Sequence, residues 1–410
     1  MNIGIFTDTY YPELNGVANS AWLLKRSLEA LGHTVYVFTV SNPEAREKEK
    51  HVFRARSLPF LLLRERRMGL PVARLWYSKV EPLHLDIIHN QTEFSLGHLG
   101  HMTAIHFHLP LVHTYHTIYE DYTHYLHMPK FSDARLKKVV RTFSRYCCHT
   151  ADSVIVPTQK VEHLVRSYGV KRDIHVIPTG VSLEKFRNPD PDEVARLKRE
   201  LDVRAEDFTL LFVGRLSKEK NLEELVRMMP AVREHYPAVR LLIVGGGPAR
   251  PDLEALCREL GLDREAVRFA GEAPWSQVQN YYALGDVFVN ASNSETQGLT
   301  YLEAEAAGLP LLVRRDECLK GFLTNGREGF AFENQDEFVA YLELLMQDPK
   351  RFGSRAAETA YGYGELHFAK EVLKVYEETL AKGLVRDETR LGFHRMKKAA
   401  SEIRKFFPRF

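Results

Sequence analysis

Short apolar runs recur along the chain, separated by longer stretches in which apolar residues return every third or fourth position. NIGIFTD, TVYVFTV, DIIH, LPLVHT and SVIVP carry the pattern in the first half, and TLLFVGR, VRLLIVGG, VRFAG, DVFVN and LPLLV in the second. Strand-like runs alternating with helix-like stretches predict parallel sheets covered by helices on both faces. The first helix is the most legible. Val17, Ala21, Leu24, Leu28 and Leu31 recur at spacings of three and four, and Gly32 ends the pattern.

At RNPDPDE, residues 187–193, two prolines and three acids interrupt the rhythm, which restarts at Thr209. The break predicts two doubly wound, Rossmann-like α/β units, 1–187 and 188–365, followed by a closing helix over 366–383 and a tail over 384–410. A chain of 410 residues is long enough to bury two separate cores. Ligands of such sheets bind beyond the carboxyl ends of the strands, so two units facing across a cleft would suit a two-substrate transfer. No tandem repeat or low-complexity tract interrupts this reading.

Composition narrows the partners. Lysine and arginine number 56 against 54 acids, so a formal charge of +2 gives no global reason to expect nucleic acid. Four cysteines without a CxxC pair, two of them adjacent at Cys147 and Cys148, fit neither a disulfide framework nor a structural zinc site and predict a reducing compartment. The opening MNIGIFTDTYYP lacks the pattern of a secretory signal. Apolar stretches such as Leu58 to Leu63 fall well short of the roughly 20 residues needed to cross a bilayer.

Three segments carry candidate chemistry. In SETQGLTYLEAEAAGLP, after the strand DVFVN, Glu295 precedes a helix expected to start near Gly298 and Glu303 lies on an early turn of it. Both carboxylates can accept hydrogen bonds from sugar hydroxyls, while the amides of Gly298, Leu299 and Thr300 at the positive helix end suit a phosphate. The plainer alternative is a pair of glutamates solvating a helix. In FVGRLSKEKN, Arg215 and Lys220 leave a strand end and can close on a diphosphate, with surface salt bridging as the alternative. In YYPELNGVANS, Gly16 lies between the first strand and a helix whose unpaired amides can face a ligand.

Other signals weigh less. No GxGxxG follows the first strand, which counts against an NAD or FAD enzyme, and VGGGP at 244–248 reads as a turn. Eight histidines lie between His98 and His127 without a coherent ligand set. His116, just past a strand, is the best candidate among them to hold a sugar hydroxyl. The one DxD-like spacing, Asp190 and Asp192, falls in the expected linker, so no metal is assigned.

Taken together these segments resemble glycosyltransferase family 4 over nearly the whole chain to about residue 383. Glu295 and Glu303 match its E-x7-E signature, Arg215 and Lys220 its basic pair, and Gly16 its N-terminal glycine loop, where Asn15-Gly16 stands for the usual double glycine. PELNGVANS, NQTEFSLG, HTYHTIYEDYTHY and SETQGLTYLEA are similar to the bacterial diacylglycerol glucosyltransferases. The resemblance implies the GT-B fold, a UDP-sugar donor, retention at the anomeric carbon and no required cofactor or metal. It further implies an N-terminal acceptor-binding domain and a C-terminal nucleotide-sugar-binding domain. By position, Glu303 would bind the ribose, Glu295 and His116 the donor sugar, and Arg215 and Lys220 the departing diphosphate. The acceptor implied is 1,2-diacylglycerol with glucose as the sugar. The alternatives are a second galactose or glucose added to a glucosyl lipid, a soluble acceptor, or a silent binding protein on the same scaffold.

A lipid acceptor calls for an interfacial surface, on the inner face of the cell membrane if the enzyme is cytoplasmic and peripheral. LPFLLLRERRMGLP offers Arg64, Arg66 and Arg67 among apolar residues, and KFSDARLKKVVRTFSRYCC offers Lys137, Lys138 and Arg141. The tail LGFHRMKKAASEIRKFFPRF places Phe393, Met396, Ala400, Ile403 and Phe407 at helical spacing beside Arg395, Lys397, Lys398, Arg404 and Lys405. Such a basic amphipathic helix suits anionic lipid.

Overall fold

The computed structural model describes residues 1–13, 15–45, 49–60, 63–70, 72–120 and 133–385, with the backbone alone at 60, 63–66 and 133. The chain forms two compact units, Met1–Gly180 joined by the chain from Glu365 onward, and Val181–Gly364.

The first unit contains β1 (Asn2–Phe6), α1 (Gly16–Ala30), β2 (Thr34–Val40), β3 (Val52–Ala55), β4 (Ser57–Phe60), β5 (Leu63–Gly69), α2 (Ala73–Val80), β6 (Ile87–Asn90), α3 (Ser95–His106), β7 (Leu111–Thr114), α4 (Asp133–Thr150), β8 (Ser153–Val156), α5 (Gln159–Ser167) and β9 (Asp173–Val176). Seven strands form one parallel sheet in the order β3-β2-β1-β6-β7-β8-β9, and β4 and β5 pair as a separate antiparallel hairpin. The central strands are buried and largely apolar because both faces are covered, with His89 and Asn90 of β6 and His113 and Thr114 of β7 as buried polar exceptions at their carboxyl ends. Ile3 and Ile5 of β1 pack with Ala21, Leu24 and Leu28 of α1, whereas Phe6 packs on the opposite face with Leu96 and Leu99 of α3. Each such fully buried Leu or Ile contributes roughly 1.5–3 kcal/mol. The helix α1 ends as its sequence predicts, with Gly32 at φ +88°, a conformation that favours glycine.

The second unit begins with α6 (Leu183–Arg187) and α7 (Pro191–Glu200). It continues through β10 (Phe208–Val213), α8 (Leu222–His235), β11 (Val239–Val244), α9 (Arg250–Glu259), β12 (Val267–Gly271), α10 (Val278–Tyr282), β13 (Val287–Asn290), α11 (Leu299–Ala306), β14 (Leu311–Arg314), β15 (Gly329–Phe332), α12 (Gln335–Gln347) and α13 (Pro349–Ala360). Its parallel sheet runs β12-β11-β10-β13-β14-β15. Leu210 and Phe212 of β10 face α8, α9 and α12, and Leu211 and Val213 face α10 and α11.

Residues 187–193 lie inside this unit and do not form the boundary expected for them. The carboxylate of Asp190 caps α7, accepting from the amides of Asp192 at 3.0 Å and Glu193 at 3.4 Å, with Pro191 in the first turn. Proline and acids here start a helix. The return segment α14 (Glu365–Lys382) belongs to the first unit, where Phe368, Val372, Val375 and Tyr376 join the core beside α1.

In both sheets the strand order reverses beside the first strand, between β1 and β6 and between β10 and β13. At such a switch point the loops leaving adjacent strands diverge to opposite faces and open a crevice for a ligand. Arg215, Lys220 and Glu295 follow the two strands at the second of these points and Gly16 follows β1 at the first, while His116 follows the neighbouring β7 and Glu303 lies on α11.

Candidate active site

The switch point of the second unit is built by two loops tied into one platform. After β10 the chain carries Arg215, exposed, and then a single 3-10 turn over Lys218–Lys220. After β13 the second loop reaches back to it. Ser292 and Ser294 donate their hydroxyls to the carbonyl of Glu219 at 3.2 and 3.3 Å, and the Asn221 amide donates to the carbonyl of Ala291 at 3.3 Å. This lacing brings Lys220 Nζ to 2.5 Å from Glu295 Oε1. Glu295 is buried and Lys220 half-buried, so the pair sits at the rim of the crevice with its charges partly shielded from water.

The VGGGP run, expected only as a turn, supports that platform. Leu216 donates its amide to Gly246 O at 2.8 Å, and Ala249 donates to Leu216 O at 3.0 Å. A Cβ on Gly245 would stand 1.9 Å from the carbonyl oxygen of Gly214, and one on Gly247 would stand 2.3 Å from that of Leu216. Glycine at both positions lets the two loops touch backbone to backbone.

Gly298 opens α11 at φ +78°, and a Cβ there would meet the Tyr301 ring at 2.4 Å. The N-cap residue Gly298 has no side chain to cap the helix, whose positive pole lies at Leu299 and Thr300. Glu303, on the second turn, is buried and accepts from the Tyr282 hydroxyl at 2.7 Å. Burial pushes its pKa up to about 7, with the Tyr282 hydrogen bond and the Lys185 charge pulling the other way. Lys185 lies 3.3 Å above the Trp275 ring and donates to the Trp275 carbonyl at 2.5 Å; burial lowers its pKa to about 8. Lys185, Trp275 and Tyr282 were not found from the sequence. They stand far from the glutamate motif in the chain and carry no spacing signal of their own.

In the first unit, Gly16 is the first residue of α1, but the helix start differs from the expectation of unpaired amides. Asn15 Oδ1 accepts from the amides of Val17 at 3.1 Å and Ala18 at 3.0 Å. The asparagine that replaces the usual first glycine is therefore a helix cap. His116 follows β7, as expected, and its Nε2 lies 2.6 Å from Gln91 Oε1 on the loop after β6. Burial and the neighbouring His113 lower its pKa to about 3, so the ring is neutral at physiological pH. Glu93 and His113 lie 3.4 Å apart against a cavity of about 190 Å³ that also borders His98 and His101.

Among the described residues no group of three metal-ligating side chains occurs. His106 is exposed and stacks on Tyr77 with ring centres 4.0 Å apart, while His124 and His127 lie outside the described residues. Asp190 of the DxD-like pair is spent on its helix cap.

Of the basic residues expected at a membrane, Lys138 and Arg141 are exposed on α4, and Lys137 beside them is half-buried. Arg141 forms a bidentate pair with Glu120 at 2.6 and 3.1 Å. Arg67 is used inside the hairpin, donating to Ser57 Oγ at 2.8 Å and Ser57 O at 3.0 Å. The side chains of Arg64 and Arg66, and the tail residues Arg395, Lys397, Lys398, Arg404 and Lys405, lie outside the described residues. Among the described residues no helix is long and apolar enough to cross a membrane.

Two Rossmann-like units, each with a strand-order switch point and one with Lys220 held on Glu295 at that point, define a GT-B glycosyltransferase. The fold agrees with solved structures. Anabaena HepE in complex with UDP and glucose matches 92% of this chain and 100% of its own, at TM-score 0.72 and 18% identity. The sucrose-phosphate synthase of Thermosynechococcus elongatus matches 93% and 99%, at TM-score 0.72 and 21% identity. The chain belongs to glycosyltransferase family 4: residues 14–185 match Glycosyltransferase Family 4 and residues 193–362 match Glycosyl transferases group 1. It is 35% identical to the alpha-monoglucosyldiacylglycerol synthase of Streptococcus pneumoniae over 95% of this chain and 89% of that protein. It is also 35% identical to the alpha-monoglucosyldiacylglycerol synthase of Acholeplasma laidlawii, over 94% and 98% of the two chains. The chain is a hexosyltransferase.

Proposed function

We propose that this enzyme transfers glucose from UDP-glucose to 1,2-diacylglycerol with retention, forming an alpha-glucosyl lipid. The observation that carries the reading is likeness over nearly the full length to two alpha-monoglucosyldiacylglycerol synthases, in a chain that keeps Arg215, Lys220, Glu295 and Glu303 together in one unit. The second unit takes the nucleotide sugar and the first takes the acceptor. Glu303 holds the ribose, and the helix start at Gly298, Leu299 and Thr300 receives a phosphate. Arg215 and Lys220 neutralise the charge that grows on the departing UDP, which is commonly the largest electrostatic contribution to such a reaction. Glu295 orients Lys220 at 2.5 Å and contacts the donor sugar, with His116 as a further sugar contact.

No carboxylate here needs to act as a covalent nucleophile, and the spacing logic of glycoside hydrolases does not apply. The enzyme works peripherally at the inner face of the cell membrane, where the exposed Lys138 and Arg141 of α4 and the basic tail meet anionic lipid. The test is UDP release from UDP-glucose mixed with diacylglycerol liposomes, followed by NMR of the glycolipid. An alpha anomer formed equally well in EDTA is expected. A beta product, or activity abolished by chelation and restored by one metal, would overturn the mechanism; turnover only with a glucosyl lipid or a soluble acceptor would overturn the assigned acceptor.

A further inference from the structure

His116 does not stand alone at the end of β7. It ends a chain of buried polar groups that runs through the first unit to α14. Tyr376 of α14 places its hydroxyl 2.6 Å from His89 Nδ1, and Thr114 Oγ1 lies 2.7 Å from His89 Nε2. The Gln91 amide nitrogen lies 3.3 and 3.1 Å from the two ring nitrogens of His89, while its oxygen lies 2.6 Å from His116 Nε2. His89, Gln91 and Tyr376 are fully buried.

The position of the Gln91 nitrogen fixes which end of the amide faces which ring. A point nearly equidistant from both nitrogens of one imidazole cannot lie in the ring plane without overlapping a ring carbon, so this atom sits over the face. An N–H is attracted to the electron-rich face of an aromatic ring, and a carbonyl oxygen is repelled from it. The nitrogen therefore belongs over His89 and the oxygen toward His116. An amide oxygen only accepts, so the atom 2.6 Å away must carry a proton.

We propose that Gln91 is a positioning residue that holds His116 as the Nε2–H tautomer, so that Nδ1 is the ring's acceptor and takes a hydrogen bond from a hydroxyl of the bound sugar. This rests on the assignment of His116 to the donor sugar and adds the direction of the hydrogen bond. His89 and Tyr376 act one step further back by locking the Gln91 amide. The titratable groups around the site favour a neutral ring: His113 beside it disfavours a second positive charge, His89 is itself held well below its ordinary pKa by burial, and Tyr376 is held well above its own. The Glu93 carboxylate is directed to His113, 3.4 Å away, and to the Tyr119 hydroxyl. A sugar bound through its hydroxyl proton thus meets an acceptor whose state does not change across physiological pH.

Nitrogen-15 correlation NMR of the full-length protein, with His116→Gln to assign the signal, reads the tautomer directly. The Nε2–H form is expected in the wild type, and a loss of that preference in Gln91→Leu. In steady-state kinetics Gln91→Leu should lower kcat/KM for UDP-glucose roughly tenfold, the scale of one hydrogen bond. Gln91→Glu would set a carboxylate against Nε2, favour the imidazolium and turn Nδ1 from acceptor to donor. Its kcat/KM should then fall as the pH drops through a new ionisation between about 5 and 8, a limb the wild type lacks. An Nδ1–H tautomer in the wild type, or a Gln91→Glu profile parallel to the wild type from about pH 5 to 9, would overturn the proposal. The NMR reading needs no turnover. If no donor and acceptor pair gives product, the proposed reaction fails and the tautomer result still decides the role of Gln91.

Discussion

Glu305, two residues past Glu303 on α11, gives a test that follows from burial alone. Its side chain is fully buried, and neither carboxyl oxygen has a hydrogen-bond partner among the described residues. Glu328 nearby is well served, accepting from the Thr359 hydroxyl at 2.8 Å and the Thr324 amide at 2.9 Å, and lying 3.2 Å from Arg327 Nε. Burial, reinforced by the Glu328 charge, pushes the pKa of Glu305 up to about 9. The folded state therefore holds a proton that the unfolded chain releases above about pH 4.5. Between those two values the folded state binds more protons than the unfolded one, so stability is greatest at the acid end and declines as the pH rises. At pH 7.5 the group is about three pH units above its ordinary value, and at about 1.4 kcal/mol per unit the loss is about 4 kcal/mol. Glu305→Gln keeps the shape and the buried polar atoms but cannot ionise. In urea unfolding followed from pH 5 to 8, the wild type should lose stability steadily relative to Glu305→Gln, with a gap of the order of 4 kcal/mol near pH 7.5. If the two proteins keep a constant difference over that range, the carboxyl is solvated or paired in solution and the reasoning is refuted.

Lys220→Ala and Glu295→Ala should each lower turnover by about 10²–10³, the cost of removing one electrostatic contact to the transition state, while circular dichroism stays that of the wild type. Near-normal turnover in either variant would remove that residue from the site. Gly298→Ala combines a φ of +78° with a Cβ 2.4 Å from the Tyr301 ring, so it should weaken UDP binding measured by calorimetry; unchanged affinity would show that the helix start is not a phosphate site. Removing residues 390–410, which carry seven basic residues and one acid, should reduce sedimentation with anionic liposomes far more than UDP-glucose binding, and the wild-type attraction should weaken with salt. Undiminished sedimentation of the shortened chain would move the principal anchor to the basic face of α4.

Much of this protein was determined by local sequence. The central strands could be read because a strand buried on both faces is mostly apolar, and α1 could be read because one of its faces meets that sheet. The E-x7-E pair and the basic pair were legible because strand-end loops keep the residues their chemistry needs at fixed offsets. β3 and the β4–β5 hairpin were not singled out, since short strands of mixed polarity resemble loops until a neighbour supplies their hydrogen bonds, and β15 is an apolar run of only four residues that opens with glycine. The unit boundary was misplaced for a related reason: proline and acids open a helix as readily as they form a linker, and only packing assigns α6 to the second unit and α14 to the first. Tertiary structure alone decided that VGGGP braces the Arg215 loop. It alone set the Lys220–Glu295 contact, the proton on Glu305, and the line from Tyr376 through His89 and Gln91 to His116. The Lys220–Glu295 and Tyr376–His89 contacts depend on groups 75 and 287 residues apart being brought within a hydrogen bond of one another, and the Glu305 proton on a site being emptied of water. No spacing along a chain records either event.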